Sequence, residues 1–534
     1  MAFPSKSTFT YRPDPTPLLL ARDLPRDEVS RLLTPYGFHD IEKADANLQS
    51  MAGDPRSRQL LARILPSILH TISHTADPDQ GLNEWERYLE AGNARAQVFS
   101  FLSNTPHLLR LLCVLFGNSP AMAETIIRDP MVIYWMEDQR ILKTRPTKKR
   151  LQVMLHEALS VVTSGGRKIE ILRRFHRREM LRIGARDLFR VAKVQETFVS
   201  LSQLAEIVIH SAYQIVKTEM EQQHGIPHHT NPTGKSFQTR FAILGMGKLG
   251  GGELNYSSDV DLVYIYESSH GHTNAKTGQS SITNEAYFQA LARKLTQVLS
   301  QSSGEGFLFR VDLRLRPEGG IGPLAWSVGE AVTYYQTRGR PWERLAFLKA
   351  RPIAGEVAIG RTFLRKIQPF VIGQEPNANS NIVEAVRTLR TQIHQKVHRK
   401  GEEDRNVKLS PGGIRDIEFI VQTLQLLHVA EEPELFEPNN LKGLKRLIEF
   451  RHLSPEQGAQ LKRYYLYLRD VEHKLQMVHE LQTHTLPSQE SELFKCAVRM
   501  GHTHKTLQGN PLRLLSDYRT VTGQVEELFH TILF

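Results

Sequence analysis

The sequence has little of what several protein classes require. Its two cysteines, Cys113 and Cys496, provide neither a disulfide framework nor a zinc site built from cysteines. No apolar run reaches the length of a membrane span, and the first 20 residues carry prolines where a signal peptide has its apolar centre. We therefore expect a cytoplasmic protein with no membrane partner.

A long run of basic residues is also missing, although the net charge is +11 and the isoelectric point is about 9.5. This excess favours acidic partners, which include nucleic acids, nucleotides and acidic proteins, and charge alone does not choose among them. Because the basic residues are spread along the chain without a basic tail, we expect no nucleic-acid partner.

The periodicity of apolar residues divides the chain into four parts. Residues 1–25 contain five prolines and are predicted to form an extended arm, and residues 26–236 have helical periodicity. Within them, the polar stretch from His224 to Ser236 is interpreted as a solvated connecting loop. Residues 237–370 change to strands with short helices, and residues 371–534 are helical again. The predicted fold class is α+β and predominantly helical, with a small mixed sheet between two helical regions.

The most informative stretch is a glycine-rich loop between two apolar runs. Phe241–Leu244 and Leu262–Tyr266 are predicted to be buried strands. The glycines match G-x-G-x-x-G, the pattern of dinucleotide-binding folds. Such folds need a crossover of at least about 10–12 residues before the next strand, and Gly250–Ser258 is too short for it. We therefore interpret the glycines as a loop whose backbone and Lys248 approach a phosphate.

Two aspartates follow this loop at a spacing of two residues. Side chains two apart on a strand point to the same face, so Asp259 and Asp261 are expected side by side. Two such acids repel each other unless a cation lies between them, and Mg²⁺ bound by carboxylates and substrate phosphates is the usual arrangement. The sequence therefore predicts a metal-dependent nucleotidyl-transfer site.

A third aspartate lies in a later segment that alternates between apolar and charged residues. Residues 306–317 are predicted to form a half-buried strand with Asp312 among three arginines. Asp312 is the candidate third metal ligand, and Arg314 and Arg316 are candidates for binding phosphate oxygens. The alternative is a structural ladder of ion pairs that binds no ligand.

Two further segments gather charged residues that would each pass for ordinary surface charges. The first, residues 342–351, contains Glu343, Arg344, Lys349 and Arg351. In the second, Arg415 and Glu418 follow a Ser-Pro-Gly-Gly turn and lie one helical turn apart. That turn either starts a helix whose N–H groups bind an anion, or it leads into a buried ion pair. Both interpretations stay open.

These motifs together resemble the polymerase-β-like nucleotidyltransferase superfamily. Within it they are similar to the bifunctional glutamine synthetase adenylyltransferase/adenylyl-removing enzymes, a family that usually carries two such cores. The likeness extends from about Leu108 to Pro487, and its main blocks are Gly245–Asp261, Arg310–Pro317 and Gly412–Gln422. This chain has one core, and it is most similar to the N-terminal core, which removes AMP in that family.

The resemblance implies a polymerase-β-like nucleotidyltransferase domain in residues 237–370, with helical domains on both sides. It implies metal-dependent AMP transfer on a tyrosine of glutamine synthetase. Phosphorolytic removal of AMP, which gives ADP, is expected first. ATP-dependent addition, in which Asp312 takes the proton of the tyrosine, is expected second. The alternative is a nucleotidyltransferase that acts on RNA or on a small molecule.

The resemblance also implies roles for individual residues and partners. Two Mg²⁺ ions are expected on Asp259, Asp261 and Asp312. ATP, ADP or orthophosphate is expected to meet five residues, namely Gly247, Lys248, Ser258, Arg314 and Arg316. Supporting roles are expected for Glu343, Arg344, Lys349, Arg351, Arg415 and Glu418. The implied partners are glutamine synthetase as the protein substrate, PII signalling proteins, and glutamine as an effector.

Overall fold

The computed structural model describes residues 12–534 except 93, 232, 277, 279, 375–377, 479–481 and 503–509. Within these residues helices dominate, and eight strands form two small sheets. The predicted α+β, predominantly helical fold class is therefore confirmed. Residues 1–11 of the predicted arm lie outside the described residues. In the rest of the arm, Pro17–Leu20 form one helical turn, and the buried side chains of Leu18 and Leu19 anchor it.

Several helices before the sheets begin where a proline follows a capping residue. Asp54, Asp77 and Ser119 each accept hydrogen bonds from N–H groups of the first helical turn, and the proline after each has no N–H group to satisfy. These helices are α1 (Pro17–Leu20), α2 (Arg26–Leu33), α3 (Ile41–Ala52), α4 (Pro55–Ile72), α5 (Pro78–Glu90), α6 (Arg95–Asn104), α7 (Pro106–Phe116), α8 (Pro120–Arg128), α9 (Val132–Met136), α10 (Arg140–Lys143), α11 (Lys148–Ser160), α12 (Gly165–Leu188) and α13 (Val194–His224). None of the described helices alone has the length and apolar character of a membrane span; α6 and α7 meet that test only as a pair bent by 114°.

The middle of the chain alternates strands with helices, and the last part is helical. The middle elements are β1 (Ile226–Thr230), β2 (Ser236–Gln238), β3 (Phe241–Gly245), α14 (Gly247–Gly250), β4 (Val260–Tyr266), β5 (His272–Asn274), α15 (Asn284–Ser300), β6 (Val311–Asp312), β7 (Ala325–Ser327), α16 (Val328–Arg338), α17 (Pro341–Leu348), β8 (Arg351–Gly355) and α18 (Val357–Ile372). The last helices are α19 (Ala378–His398), α20 (Ile414–His428), α21 (Asn440–Glu449), α22 (Pro455–Gln476), α23 (Glu490–Met500) and α24 (Pro511–Leu533).

The chain divides into two compact units, of which the first is helical. It contains the residues up to Arg145 together with Met180–Lys193 and Asp470–Thr520. Its core is formed by the apolar faces of α3 to α8. Fully buried aromatic rings lie at its centre, with the ring centroids of Trp85 and Phe116 5.3 Å apart in an edge-on contact.

The second unit holds both sheets. It contains Pro146–Glu179, Val194–Arg469 and Val521–Phe534. Helices that precede the sheets in sequence and helices that follow them therefore belong to the same unit as the sheets. The predicted domain boundaries at 236 and 370 do not coincide with the boundaries between the two units.

The larger sheet is mixed and has the order β6-β4-β3-β8, with β7 also paired to β4. β3 and β4 are antiparallel, with Phe241 opposite Tyr266 and Gly245 opposite Leu262, and both predicted strands are confirmed. Two strands joined in this way form a hairpin-like pair, so the glycine loop between them is not a βαβ crossover. The rejection of a dinucleotide-binding fold is thereby confirmed.

Aromatic packing covers one face of this sheet. The helices α13 and α15 pack against each other, and α13 also contacts β8. The ring of Phe241 is stacked between Tyr213 of α13, at 5.6 Å, and Phe288 of α15, at 5.7 Å. Because β3 and β4 are buried along their whole length apart from Asp261, their near-continuous apolar sequence is explained.

The smaller sheet contradicts one prediction. β1, β2 and β5 form an antiparallel sheet in the order β2-β1-β5, so the stretch from His224 to Ser236 is not a solvated loop. Its strands are short and polar, and β2 is exposed at every residue. β1 forms because it pairs with β5, in which Thr273 lies more than 40 residues later in the chain. No local sequence pattern reveals such a pairing.

Candidate active site

The glycine loop brings backbone close to one aspartate. After β3, the chain makes a single helical turn, α14, which begins at Gly247. Gly247 has φ +51°, and a Cβ atom on it would lie 2.6 Å from Oδ2 of Asp261. Only glycine allows both this conformation and this approach. Lys248 is half-buried on the same turn, and the Oγ of Ser258 accepts a hydrogen bond from the N–H group of Asn255 at 3.2 Å.

The three predicted aspartates meet at the edge of the larger sheet. β4 and β6 pair in parallel, with Asp261 directly opposite Asp312, and Asp259 lies just before β4. Burial and, after it, the negative charges of Asp312 and Asp259 together raise the pKa of Asp261 to about 6, against the opposing effect of Lys408. The pairing predicted from spacing is therefore present in the fold, and it concentrates negative charge at one point.

Arginines neutralise two of these acids. Arg310 donates from Nε to Oδ1 of Asp259 at 2.8 Å. Arg314 donates to Asp312 from its backbone N–H group at 2.8 Å and from its guanidinium group at 2.6 Å. Burial alone would raise the pKa of Asp312, but these hydrogen bonds and the charge of Arg314 outweigh it and lower the pKa. Arg314 remains 80% exposed, so a ligand can reach its guanidinium group.

Arg316 does not lie where the sequence places it. Its guanidinium group is buried and donates to the backbone carbonyl groups of Leu313, Gly322 and Pro323, at 2.8, 2.9 and 2.8 Å. The chain turns back around this side chain, so the predicted strand over 306–317 is reduced to Val311–Asp312. Arg316 shapes the following loop, and the prediction that it binds phosphate oxygens has no support in its contacts.

The aspartates fit a divalent cation by residue type. No described residue donates a hydrogen bond to the carboxylate of Asp261, which lies beside that of Asp312. Oxygen ligands of this kind are those that Mg²⁺ prefers. Within the described residues, no three histidine, cysteine, aspartate or glutamate side chains are already gathered around one point. Arg310 and Arg314 lie on oxygens of Asp259 and Asp312 that a cation shared by the three aspartates could use.

A second group of charges lies behind the glycine turn. The ammonium group of Lys349 is 3.5 Å from Glu253 and 3.4 Å from Glu418, and all three side chains are buried. Arg415 is 3.1 Å from the other oxygen of Glu418. Burial would raise the pKa of Glu418, but Lys349 and then Arg415 lower it to about 2. A Cβ atom on Gly250 would lie 1.8 Å from the carbonyl oxygen of Lys349, so this group abuts the loop.

The other predicted supporting residues hold backbone rather than ligands. Glu343 is buried and accepts from the N–H group of Arg340 at 2.7 Å, which caps α17. Burial raises the pKa of Glu343. Arg344 donates to the carbonyl oxygen of Val371 at 2.9 Å, and Arg351 donates to that of Gly250 at 3.0 Å. Arg351 thus fixes the end of the glycine turn.

The two interpretations of the turn before α20 are resolved. The N–H groups of Ile414 and Arg415 donate to the carbonyl oxygens of Val407 and Lys408 at 3.0 and 2.9 Å. With these donors used by the chain itself, the start of α20 is not an anion site. The buried ion pair between Arg415 and Glu418 is the interpretation that holds.

The sequence did not reveal the residues that fix the acidic loop, which is the segment 251–259 between α14 and β4. Arg469 of α22 is fully buried and donates to the carbonyl oxygen of Glu253 and, at 2.8 Å, to Oδ1 of Asn255. Tyr465 donates to Oε1 of Glu253 at 3.3 Å. The only local signal is a tyrosine and an arginine one helical turn apart, which is a common surface pattern. Their role becomes visible only when the fold brings residues 200 positions apart into contact.

The sequence model of the family described as glutamate-ammonia ligase adenylyltransferase matches residues 109–366, which contain the glycine loop and all three aspartates. The chain belongs to this family. The match includes β3, β4 and β6 of the larger sheet, so the glutamate-ammonia ligase adenylyltransferase family accounts for the elements that carry the site.

Curated relatives agree with this assignment, and each is named a bifunctional glutamine synthetase adenylyltransferase/adenylyl-removing enzyme. The protein from Nitrosococcus oceani is 37% identical over 447 residues, which are 84% of this chain and 45% of the relative. The protein from Hahella chejuensis is 35% identical over 82% of this chain and 43% of its own length. The chain therefore spans somewhat less than half the length of these family members.

A second family model matches the helical residues after the sheets. The model described as GlnD PII-uridylyltransferase matches residues 387–533, from within α19 to the end of α24. This likeness was not predicted from the sequence. It covers α20 and α22, the helices that provide Glu418 and Arg469.

Proposed function

We propose that this chain transfers AMP at a tyrosine of glutamine synthetase, and that removal of AMP is its main direction. Orthophosphate attacks the phosphorus of the AMP–tyrosine phosphodiester, the bond to the tyrosine oxygen breaks, and ADP and a protonated tyrosine result. The curated relatives are named for adding and removing adenylyl groups, which supports this substrate. The observation that carries the proposal is the unpaired carboxylate of Asp261 opposite Asp312 beside a glycine loop.

The proposed cofactor is Mg²⁺, with two ions on Asp259, Asp261 and Asp312. Bound there, Mg²⁺ would neutralise charge on the phosphate oxygens and on the attacking and leaving oxygens. Asp261 has no hydrogen-bond donor among the described residues, and the ions would compete with Arg310 and Arg314 for the other two acids. An arginine released in this way is available for a phosphate oxygen.

Three residues of the glycine turn and of the loop after it are the candidates for contact with phosphate. Gly247, Lys248 and Ser258 are proposed to line the phosphate of ATP, ADP or orthophosphate, because they lie on the turn and loop that lead to the aspartates. In ATP-dependent addition, Asp312 is a weak proton acceptor while Arg314 lowers its pKa.

The proposed partners follow from the two family matches. Glutamine synthetase is the protein substrate named for the relatives. The likeness of residues 387–533 to a PII-uridylyltransferase supports contact between these helices and a PII protein. Glutamine as an effector and a cytoplasmic location stay predictions.

Two incubations test the direction of transfer. In the first, the chain is incubated with AMP-modified glutamine synthetase, Mg²⁺ and orthophosphate; in the second, with unmodified glutamine synthetase, Mg²⁺ and labelled ATP. We expect ADP release in the first and no labelling in the second. The Asp261→Asn variant should release no ADP, whereas Asp404→Asn, at an exposed position, should behave as the wild type.

The rival function, nucleotidyl transfer to RNA, is tested in parallel. Binding of transfer RNA is titrated at increasing salt, since phosphate contacts weaken steeply with salt concentration. Tight, salt-sensitive binding of transfer RNA without ADP release from glutamine synthetase would overturn the proposal. Labelling of unmodified glutamine synthetase without ADP release would retain the substrate and reverse the direction.

A further inference from the structure

An apolar side chain protrudes from the protein a few residues after the last of the three aspartates. Ile321 is 96% exposed, the highest value for a large apolar side chain among the described residues. It lies in the segment 317–322, which follows β6 and its Asp312. We propose that this segment, the Ile321 loop, docks the protein substrate by inserting Ile321 into an apolar depression on its surface. The docking proposal rests on the function proposed above.

A buried arginine holds the Ile321 loop in one conformation. The guanidinium group of Arg316 donates to the carbonyl oxygens of Gly322 and Pro323, where the loop ends, at 2.9 and 2.8 Å. It also donates to the carbonyl oxygen of Gly320, next to Ile321, at 3.4 Å. Burying a guanidinium group is unfavourable unless its N–H groups find acceptors, and here the carbonyl groups of the loop are those acceptors. The loop therefore keeps its shape without a partner.

The backbone of the loop is strained and enclosed. Glu318 has φ +61°, a conformation that residues other than glycine rarely adopt. Its carboxylate accepts a hydrogen bond from Arg338 of α16 at 2.5 Å. Gly322 packs against Trp326, since a Cβ atom on it would lie 3.2 Å from the indole ring. Backbone strain persists only where the surrounding structure enforces it, and it is concentrated at sites that contact ligands.

The loop turns back beside the proposed metal site. A Cβ atom on Gly319 would lie 3.6 Å from the carbonyl oxygen of Arg314, and the guanidinium group of Arg314 donates to Asp312 at 2.6 Å. The two leucines that flank Arg314 in sequence are half-buried. Ile321 and these leucines therefore place apolar surface next to the charged residues of the site.

The reaction proposed for the aspartates determines what covers this surface. A phosphodiester on a tyrosine is one side chain away from the backbone of the protein that carries it. For its phosphorus to reach Asp261 and Asp312, the surface of that protein must approach the elements that flank them, and the Ile321 loop is one of these. Orthophosphate and the phosphate groups of a nucleotide have no apolar surface to bury against an isoleucine. The occupant is therefore the protein substrate.

An ordered loop with one apolar tip suits such an interface. A few apolar anchors that fill depressions on the partner provide most of the binding energy of a protein interface. A loop that already has its bound shape loses little conformational entropy when the complex forms. Because the free protein exposes Ile321 to water, the favourable burial of this side chain is gained only in the complex.

Kinetics of ADP release from AMP-modified glutamine synthetase test the proposal. Ile321→Ala should raise KM for this substrate at least about tenfold and leave kcat unchanged, because it removes an anchor that acts in binding alone. Its affinity for ADP, measured by calorimetry with Mg²⁺, and its thermal midpoint should match those of the wild type. Val161→Ala is the control, because Val161 is 78% exposed after α11, and its KM should change less than about twofold. Ile321→Leu keeps the apolar area and should stay within about threefold of the wild type.

The outcomes separate the docking proposal from the proposed function. An unchanged KM for Ile321→Ala, while the wild type releases ADP, would overturn the docking proposal alone. A wild type that releases no ADP would overturn the proposed function and the docking proposal with it. Equal losses of affinity for modified glutamine synthetase and for ADP would show that the loop contacts the nucleotide and not the protein.

Discussion

Two groups of charged residues on either side of the glycine loop differ in how their acids are held. The buried cluster consists of Glu253, Lys349, Arg415 and Glu418. The aspartate cluster consists of Asp259, Asp261 and Asp312 with Arg310 and Arg314. In the buried cluster the side chains of Lys349 and Glu253 are 7% and 2% exposed. In the aspartate cluster Arg314 is 80% exposed, and Asp261 has no donor among the described residues.

The pKa values of Glu418 and Asp261 are shifted in opposite directions. Cations lower the pKa of Glu418 to about 2, whereas burial and two neighbouring acids raise that of Asp261 to about 6. The buried cluster is thus electrostatically complete, and ionised Glu418 stabilises the fold. The aspartate cluster has two arginines for three acids, so ionised Asp261 opposes the fold until a ligand supplies the missing positive charge. The chain thus separates the charges that hold the loop from those that are proposed to act on a substrate.

The largest effect is expected from breaking the buried cluster. Lys349→Met leaves Glu253 and Glu418 buried with less positive charge, which should lower the free energy of unfolding by about 3–5 kcal/mol. Urea unfolding followed by tryptophan fluorescence measures it. Lys445→Met is the matched control, because Lys445 is 76% exposed in its pair with Glu449 and should cost less than about 1 kcal/mol. Equal costs for the two variants would remove the distinction between the clusters.

Asp261→Asn should separate activity from stability. We expect the rate of AMP removal to fall by at least about 100-fold, since a residue assigned to bind the metal loses its charge. The free energy of unfolding without metal should stay the same or rise, because a carboxylate in a repulsive site is replaced by a neutral group of similar shape. A marked loss of stability would mean that Asp261 already has a partner in the folded protein.

Gly247→Ala tests the close approach of the loop to Asp261. Its Cβ atom would lie 2.6 Å from the carboxylate, so we expect activity to fall by about tenfold or more beyond the effect of backbone strain. Gly252→Ala isolates that strain, because Gly252 has φ +69° and no atom within 4 Å of the added Cβ. Both variants are assayed for ADP release and thermal midpoint. If they lose activity equally, proximity to Asp261 has no special role.

The smallest effect is a pH dependence in which Glu418 of the buried cluster loses its stabilising contribution as the pH falls, the opposite sign from that expected for Asp261. Because the folded pKa of Glu418, about 2, lies below its usual value, its contribution to stability is complete above about pH 4.5 and is lost as the pH falls towards 2. The difference in unfolding free energy between the wild type and Glu418→Gln should therefore narrow from pH 5.5 to pH 3.5. A constant difference over this range would show that Glu418 is not held by its cations.

Much of the fold near the site could be predicted because its signals are local. Phe241–Leu244 and Leu262–Tyr266 are continuous apolar runs flanked by glycine and aspartate, and they form β3 and β4. The strands β1 and β2 could not be predicted, because they are polar, and β1 pairs with β2 on one side and with the distant β5 on the other. The segment 306–317 alternates like a strand, but the buried guanidinium group of Arg316 turns it back.

The site was predictable to the extent that spacing determines geometry. The positions of Asp259 and Asp261 follow from the period of a strand, and Asp312 joins them through one parallel pairing. The ion-pair and hydrogen-bond partners of these acids could not be predicted from spacing. Arg314 folds back onto Asp312 two residues away, and Lys349 finds Glu253 and Glu418 from two distant segments. Long side chains have several rotamers, and only the packed fold selects one.

The residues that hold the acidic loop carry a consequence for how the protein is made. Glu253 and Asn255 precede Asp259 directly, yet their buried partner Arg469 is 214 positions after Asn255. At a synthesis rate of roughly 5–20 residues per second, the ribosome needs on the order of 10–40 s to reach it. Once Asp312 has been added, the nascent chain contains every proposed metal ligand, but it still lacks the side chain that fixes the loop before β4. The emerging polypeptide is therefore expected to acquire its chemistry late, once α22 has been translated and docked.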